Sequence, residues 1–127
     1  MSTQTAMIAL GGNSLSKKGQ TGTIEQQFEQ TRQALEGISH FIDQDYKICI
    51  NHGNGPQVGN ELLRMELTQD IVPTLPLGVC VAGTQGTIGY MIQQSLQNKL
   101  REMKKDRDVV SLISQVIVDE NDSSFNN

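Results

Sequence analysis

The order of apolar runs and turn residues predicts an α/β fold, a three-layer α/β/α sandwich around a mostly parallel, open sheet. Three observations lead there. Short apolar runs end in glycine-asparagine bends at Gly11-Gly12-Asn13 and again at Gly53-Asn54-Gly55. Segments with apolar residues at helical spacing lie between and after these runs. Strands alternating with helices of this length call for parallel pairing with helical crossovers.

The run Ala6 to Leu10 (AMIAL) is continuously apolar and is expected to be a strand buried on both faces. Residues Ser14 to Gly22 are polar, carry Gly19 and Gly22, and read as a flexible loop. Thr23 and Gln26 then have capping-box spacing. Ile24, Phe28, Thr31, Leu35, Ile38 and Ile42 define one buried stripe of a helix running to about Asp43. Tyr46 to Asn51 (YKICIN) reads as a second strand, and Pro56 suits the first turn of the helix after it. Val58, Leu62, Met65 and Leu67 mark that helix's apolar face, ahead of a break at Pro73 and Pro76.

The stretch Ile71 to Val81 has no clear periodicity. From Thr87 to Lys105, Ile88, Met91, Ile92, Leu96, Leu100 and Met103 predict a long amphipathic helix, with Gly83-Thr84-Gln85-Gly86 as its opening turn. Val109 to Val118 reads as a further strand. The methionines at 65, 91 and 103 fall on helix faces and are expected to fill core.

Composition bounds the function. The 127 residues suit one domain, and a net charge of -4 argues against a nucleic-acid partner, which demands a basic surface. The basic residues between Lys99 and Arg107 close a predicted helix, where cations complement the dipole. Cys49 and Cys80 lack metal-site or disulfide-framework spacing. No apolar run approaches the ~20 residues that span a bilayer, so no membrane partner is expected and the cytoplasm is the expected compartment. The carboxylates Asp119, Glu120 and Asp122 read as a solvated turn.

The chemistry is expected at the two bends. In an open parallel sheet, ligands bind beyond the carboxyl ends of the strands. Glycine brings backbone N–H groups close to a ligand, and a helix amino terminus adds partial positive charge. Gly11, Gly12 and Asn13 with Gly53, Asn54 and Gly55 therefore fit an anion cradle, in which the asparagine amides could also donate. Tight strand-to-helix turns would use the same residues. Neither bend fits GxxxxGK[ST] or GxGxxG. His52 is expected to tie down its loop, because phosphoryl transfer makes little demand for a base. His40 is expected to be structural. Thr84 and Gln85 could cap a helix or reach a substrate.

Taken together, ALGGN (Ala9 to Asn13), NHGNGPQVGN (Asn51 to Asn60) and TQGTIGY (Thr84 to Tyr90) resemble the carbamate kinase family in order and spacing. A fourth segment, SQVIVDENDSSF (Ser114 to Phe125), is similar to the stretch that precedes a lysine-bearing Pro-Thr-Lys segment in that family. The resemblance spans nearly the whole chain. It implies a catalytic role facing the transferring phosphoryl group for Gly11, Gly12 and Asn13. It implies carbamate or carbamoyl phosphate binding by Gly53, Asn54, Gly55 and Gln85.

It further implies ATP or ADP with Mg2+ as cofactor of the full-length enzyme, and a homodimer. The residues given stop at Asn127, before the Pro-Thr-Lys segment and the nucleotide-binding half. Residues 1–127 are therefore expected to form the amino-terminal, carbamate- and phosphoryl-binding half, inactive alone for want of charge-neutralising lysines. Two other readings stay open: a non-catalytic module that dimerises or regulates through an exposed sheet edge, and a superfamily kinase with an acidic amino acid as acceptor.

Overall fold

The computed structural model describes residues 4–11, 15, 19 and 21–126. Two parallel strands, β1 (Thr5–Leu10) and β2 (Lys47–His52), pair in register from Thr5 opposite Lys47 to Leu10 opposite His52. The crossover between them is helical. It starts with α1 (Ile24–Leu35), passes through a 3-10 turn at Glu36–Ile38 and ends in the short α2 (Ser39–Asp43).

The expected capping box opens α1. Thr23 Oγ1 accepts from the Gln26 amide at 3.4 Å, and Gln26 Oε1 accepts from the Thr23 amide at 3.2 Å. Two orphan donors of the first turn are thereby satisfied. The predicted stripe is largely inside: Thr31, Leu35, Ile38 and Ile42 are buried, whereas Ile24 at its start is exposed. Within the loop before α1, Gly19 and Gly22 take positive φ (88° and 73°), the left-handed region that favours glycine. Leu15, expected in that flexible loop, instead plugs the core and is fully buried.

Beyond β2, α3 (Gly55–Thr68) carries Pro56 in its first turn, as expected. The longest element, α4 (Leu77–Glu102), then lies against α1 and α3. It starts ten residues earlier than its periodicity indicated. The Gly83–Gly86 stretch is not an opening turn but the second and third turns of this helix. Burial of Cys80 and Thr84 offsets the helix cost of two glycines, about 1 kcal/mol each. One apolar cluster joins the layers, with Leu10, Leu15, Leu35, Ile42, Ile88, Met91, Ile92 and Leu96 all buried. Each such side chain contributes about 1.5–3 kcal/mol relative to exposure.

Two expectations about strands are corrected. β1 is not buried on both faces: Ala6, Ile8 and Leu10 face the helices, but Met7 is 69% exposed. The described residues place α1 and α4 on one face of the sheet only. Val109 to Val118 is extended but forms no strand among the described residues. It runs alongside α4, and its apolar residues Leu112 and Ile117 are 85% and 97% exposed. A strand exists only when a neighbour completes its hydrogen bonds, and here the neighbour is a helix.

Candidate functional site

The carboxyl ends of β1 and β2 lie side by side, as the register requires. The Gly53 amide donates to the Leu10 carbonyl at 3.2 Å, so the second bend begins against the end of the first strand. Gly11 follows directly, with open space where a Cβ would stand. Gly12 and Asn13 lie outside the described residues.

Asn54 is the N-cap of α3, yet its side chain makes no capping bond. Its Nδ2 donates to Thr84 Oγ1 at 2.9 Å and to the Val81 carbonyl at 3.4 Å. The amide donor offered to a ligand by the sequence is thus engaged with α4. What faces the bend is backbone: the first-turn amides of Gly55 and Gln57, which have no acceptor inside their own helix. Thr84 is almost fully buried and donates in turn to Val81.

Gln85 sits mid-helix instead of at a helix start. Its Oε1 accepts from the Ser114 amide at 2.9 Å and its Nε2 donates to the Ser114 carbonyl at 3.2 Å. The four segments that carry the resemblance are therefore joined in series. Leu10 meets Gly53, Asn54 meets Thr84, and Gln85 meets Ser114. Sequence spacing alone did not reveal this linkage.

Sequence reasoning also missed the glutamine stripe of α4. Gln85, Gly89, Gln93 and Gln97 recur every four residues, on one helix face. Gln97 accepts from the Val109 amide at 3.0 Å and donates to the Arg107 carbonyl at 3.0 Å. Gln93 donates to the Val109 carbonyl at 2.9 Å, and Ser111 Oγ donates to the Gly89 carbonyl at 3.0 Å. A Cβ on Gly89 would stand 3.1 Å from Ser111, so glycine permits the close approach. The four-residue repeat of amide and glycine was the available signal.

Beside Asn54, a cleft of about 180 Å³ opens between the start of α1, α3 and α4, lined by Thr23, Gln27, Gln57, Arg64 and Thr84. Gln57 donates to Gln27 Oε1 at 3.3 Å, while its own Oε1 is buried with no partner among the described residues. Arg64 pairs with Glu61. His52 Nδ1 lies 3.3 Å from the Gly53 carbonyl, in keeping with a loop-holding role.

The described lysines sit at the far end of the molecule. Lys47 opens β2, Lys99 reaches Glu36 at 3.6 Å, and Lys105 reaches Asp45 at 3.3 Å. Among the described residues, no three His, Cys, Asp or Glu side chains converge as a metal site would need. Mg2+ keeps several waters and is commonly held by one or two carboxylates together with substrate phosphates. No described helix is long and apolar enough to cross a membrane.

No protein-family model matches the chain. Curated relatives do. The carbamate kinase of Pyrococcus horikoshii is 46% identical over 123 residues, covering 95% of this chain and 39% of its own length. That of Thermococcus kodakarensis is 47% identical over 124 residues, with the same two coverages. The chain thus spans about two fifths of the relatives it matches. Among solved structures, carbamate kinase from Giardia lamblia bound to AMP-PNP superposes with a TM-score of 0.93 at 34% identity, covering 98% of this chain and 44% of that one. In sequence and in backbone path, over nearly all of its length, this chain resembles carbamate kinase.

Proposed function

We propose that residues 1–127 form the amino-terminal, carbamate-holding part of a carbamate kinase, which moves a phosphoryl group reversibly between carbamoyl phosphate with ADP and carbamate with ATP. The observation that supports this reading is the hydrogen bond from the Gly53 amide to the Leu10 carbonyl, which sets the start of the second bend against the end of β1, next to Gly11. Backbone amides at Gly11, Gly55 and Gln57 grip the oxyanion of the small acid, and the α3 amino terminus adds its dipole. By the resemblance, Gly12 and Asn13 take the phosphoryl side of the site. Asn54 and Gln85 act as positioning residues, holding the bend to α4 and α4 to Ser114.

Nucleotide supplies the phosphoryl donor or acceptor when bound, with Mg2+ on its phosphates. The residues described here only bind and orient the small acid. Charge stabilisation dominates phosphoryl transfer, and by the resemblance the lysines that supply it belong to the part of the relatives that this chain does not match, so residues 1–127 alone are expected to be inactive. The complete enzyme is a cytoplasmic homodimer in this reading.

A chimera tests it. Residues 1–127 replace the matched part of the Thermococcus kodakarensis relative, and ATP formation from carbamoyl phosphate and ADP is followed by a coupled assay. The chimera is expected to form ATP. A folded chimera that binds ADP yet forms none above the enzyme-free background overturns the reading.

A further inference from the structure

We infer that the Asn54-Gly55 peptide is a deamidation site gated by α4, and that the carboxylate formed at position 54 turns from α4 to cap α3 at the Gln57 backbone N–H. Asn54-Gly55 is the one Asn-Gly pair in the sequence. Glycine has no Cβ to shield its amide nitrogen, and Gly55 is exposed, with nothing within 4 Å of where a Cβ would stand. As the first residue of α3, it carries an N–H with no acceptor inside that helix.

The reaction balances with water as its only co-reactant. The Gly55 nitrogen loses its proton and bonds to Asn54 Cγ, the Cγ–Nδ2 bond breaks, and ammonia leaves with that proton. Water then opens the five-membered imide at either carbonyl, which yields aspartate or isoaspartate. Ring closure needs the Gly55 nitrogen to swing round to Asn54 Cβ, but at ψ 9° it stands almost eclipsed with the Asn54 nitrogen. Three hydrogen bonds oppose that swing. The Val58 amide donates to the Asn54 carbonyl at 3.0 Å, and Asn54 Nδ2 donates to Thr84 Oγ1 at 2.9 Å and to the Val81 carbonyl at 3.4 Å. Two of the three end on α4, so α4 sets the rate.

The product cannot keep these contacts. Thr84 gives its own hydroxyl proton to the Val81 carbonyl at 2.9 Å, so the Asn54 side chain faces two acceptors, and a carboxylate has no proton for either. Left in place it would set a charge against two oxygens. An alternative lies one turn away. Asn54 already occupies the N-cap of α3 without a capping bond, Pro56 has no N–H, and the Gln57 N–H is the third-residue donor that an N-cap side chain reaches. The helix dipole favours an anion there. Deamidation thus exchanges a tie to α4 for a cap on α3. Under the proposed function, the new carboxylate also takes the Gln57 amide assigned to the small acid and blocks the cradle; that consequence alone rests on the proposed function.

The test is peptide mapping that resolves asparagine, aspartate and isoaspartate at position 54 during incubation in mildly alkaline buffer. Thr84→Val is expected to speed the loss of Asn54 about fivefold while the core amides of Ile88 and Met91 exchange as in the wild type. Thr84→Ser, which keeps the hydroxyl, is expected to leave the rate unchanged. Gly55→Ala, which has room for its Cβ, is expected to slow the loss about tenfold. In Asn54→Asp, the Gln57 amide shift is expected to follow the titration of one carboxyl and to respond less than in the wild type to carbamoyl phosphate.

Equal rates in the wild type and a folded Thr84→Val variant, or a Gln57 amide that ignores the titration in Asn54→Asp, overturn the inference. A wild type unmoved by carbamoyl phosphate, with the rates and the titration as expected, rejects the functional reading and keeps the switch. Equal responses of the wild type and Asn54→Asp to carbamoyl phosphate reject the blocking of the cradle alone.

Discussion

β2 and residues 109–118 are both rich in β-branched residues, yet only β2 is a strand. β2 lies on α2 and the core and has β1 for a partner. Residues 109–114 are held instead by side-chain amides of α4, and the residues beyond them stand exposed. Strand propensity describes how well a residue fits a pleated, half-buried surface, and the surface has to be there. The difference shows that strand formation depends on a paired neighbour and not on composition alone.

The comparison can be broken first at its apolar supports. Ile42, fully buried beside β2, is expected to cost about 2–5 kcal/mol as Ile42→Ala, read from urea denaturation. Ile117→Ala, on the exposed segment, is expected to stay within about 0.5 kcal/mol. Similar midpoints for the two variants would mean that residues 109–118 are packed as firmly as the core.

A smaller effect is expected at the glutamine stripe. Gln97→Ala removes two hydrogen bonds to the 107–109 backbone and is expected to cost about 1–2 kcal/mol. Its exchange signature separates the two regions: the Val109 amide accelerates while β2 amides do not. Uniform acceleration would show one cooperative unit instead of two.

Gly89→Ala sharpens the same point with less global effect. Alanine raises helix propensity by about 1 kcal/mol, but its Cβ crowds Ser111 at 3.1 Å. A nearly unchanged melting midpoint with faster exchange at residues 109–114 is expected. An unchanged exchange pattern would show that the segment does not depend on that close approach.

The smallest effect lies in the acidic turn after the extended segment. The carboxyl of Asp122 is held below its ordinary pKa, first by the backbone hydrogen bond from Ser124 and then by the Ser124 side chain. The stabilising contact is complete above the ordinary carboxylate range and is lost as pH falls through the lowered value. An NMR pH titration of the Ser124 amide is expected to turn below the usual Asp midpoint. A midpoint at or above it contradicts the hydrogen bond.

Much of this architecture was legible in the residues, for physical reasons. The capping box at Thr23 and Gln26, Pro56 in the first turn of α3 and the stripe from Thr31 to Ile42 are local signals, and local signals survive without tertiary context. The start of α4 was not legible, because Gly83 and Gly86 resemble a turn until Thr84 and Ile88 are seen buried. The strand expected at Val109 to Val118 failed because pairing is a property of two chains.

At the site, neighbouring strand ends followed from parallel topology alone. Which bond each polar side chain makes did not. Asn54 to Thr84 and Gln85 to Ser114 link residues about 30 positions apart, beyond the reach of any spacing rule.

The most direct test of the cradle is a titration of the 15N-labelled chain with freshly dissolved carbamoyl phosphate, followed by amide chemical shifts. Perturbations are expected to cluster at Gly11, Gly53, Gly55 and Gln57. Shifts centred on the basic end near Lys99 and Lys105, or spread evenly over the chain, would contradict an oxyanion site at the strand ends.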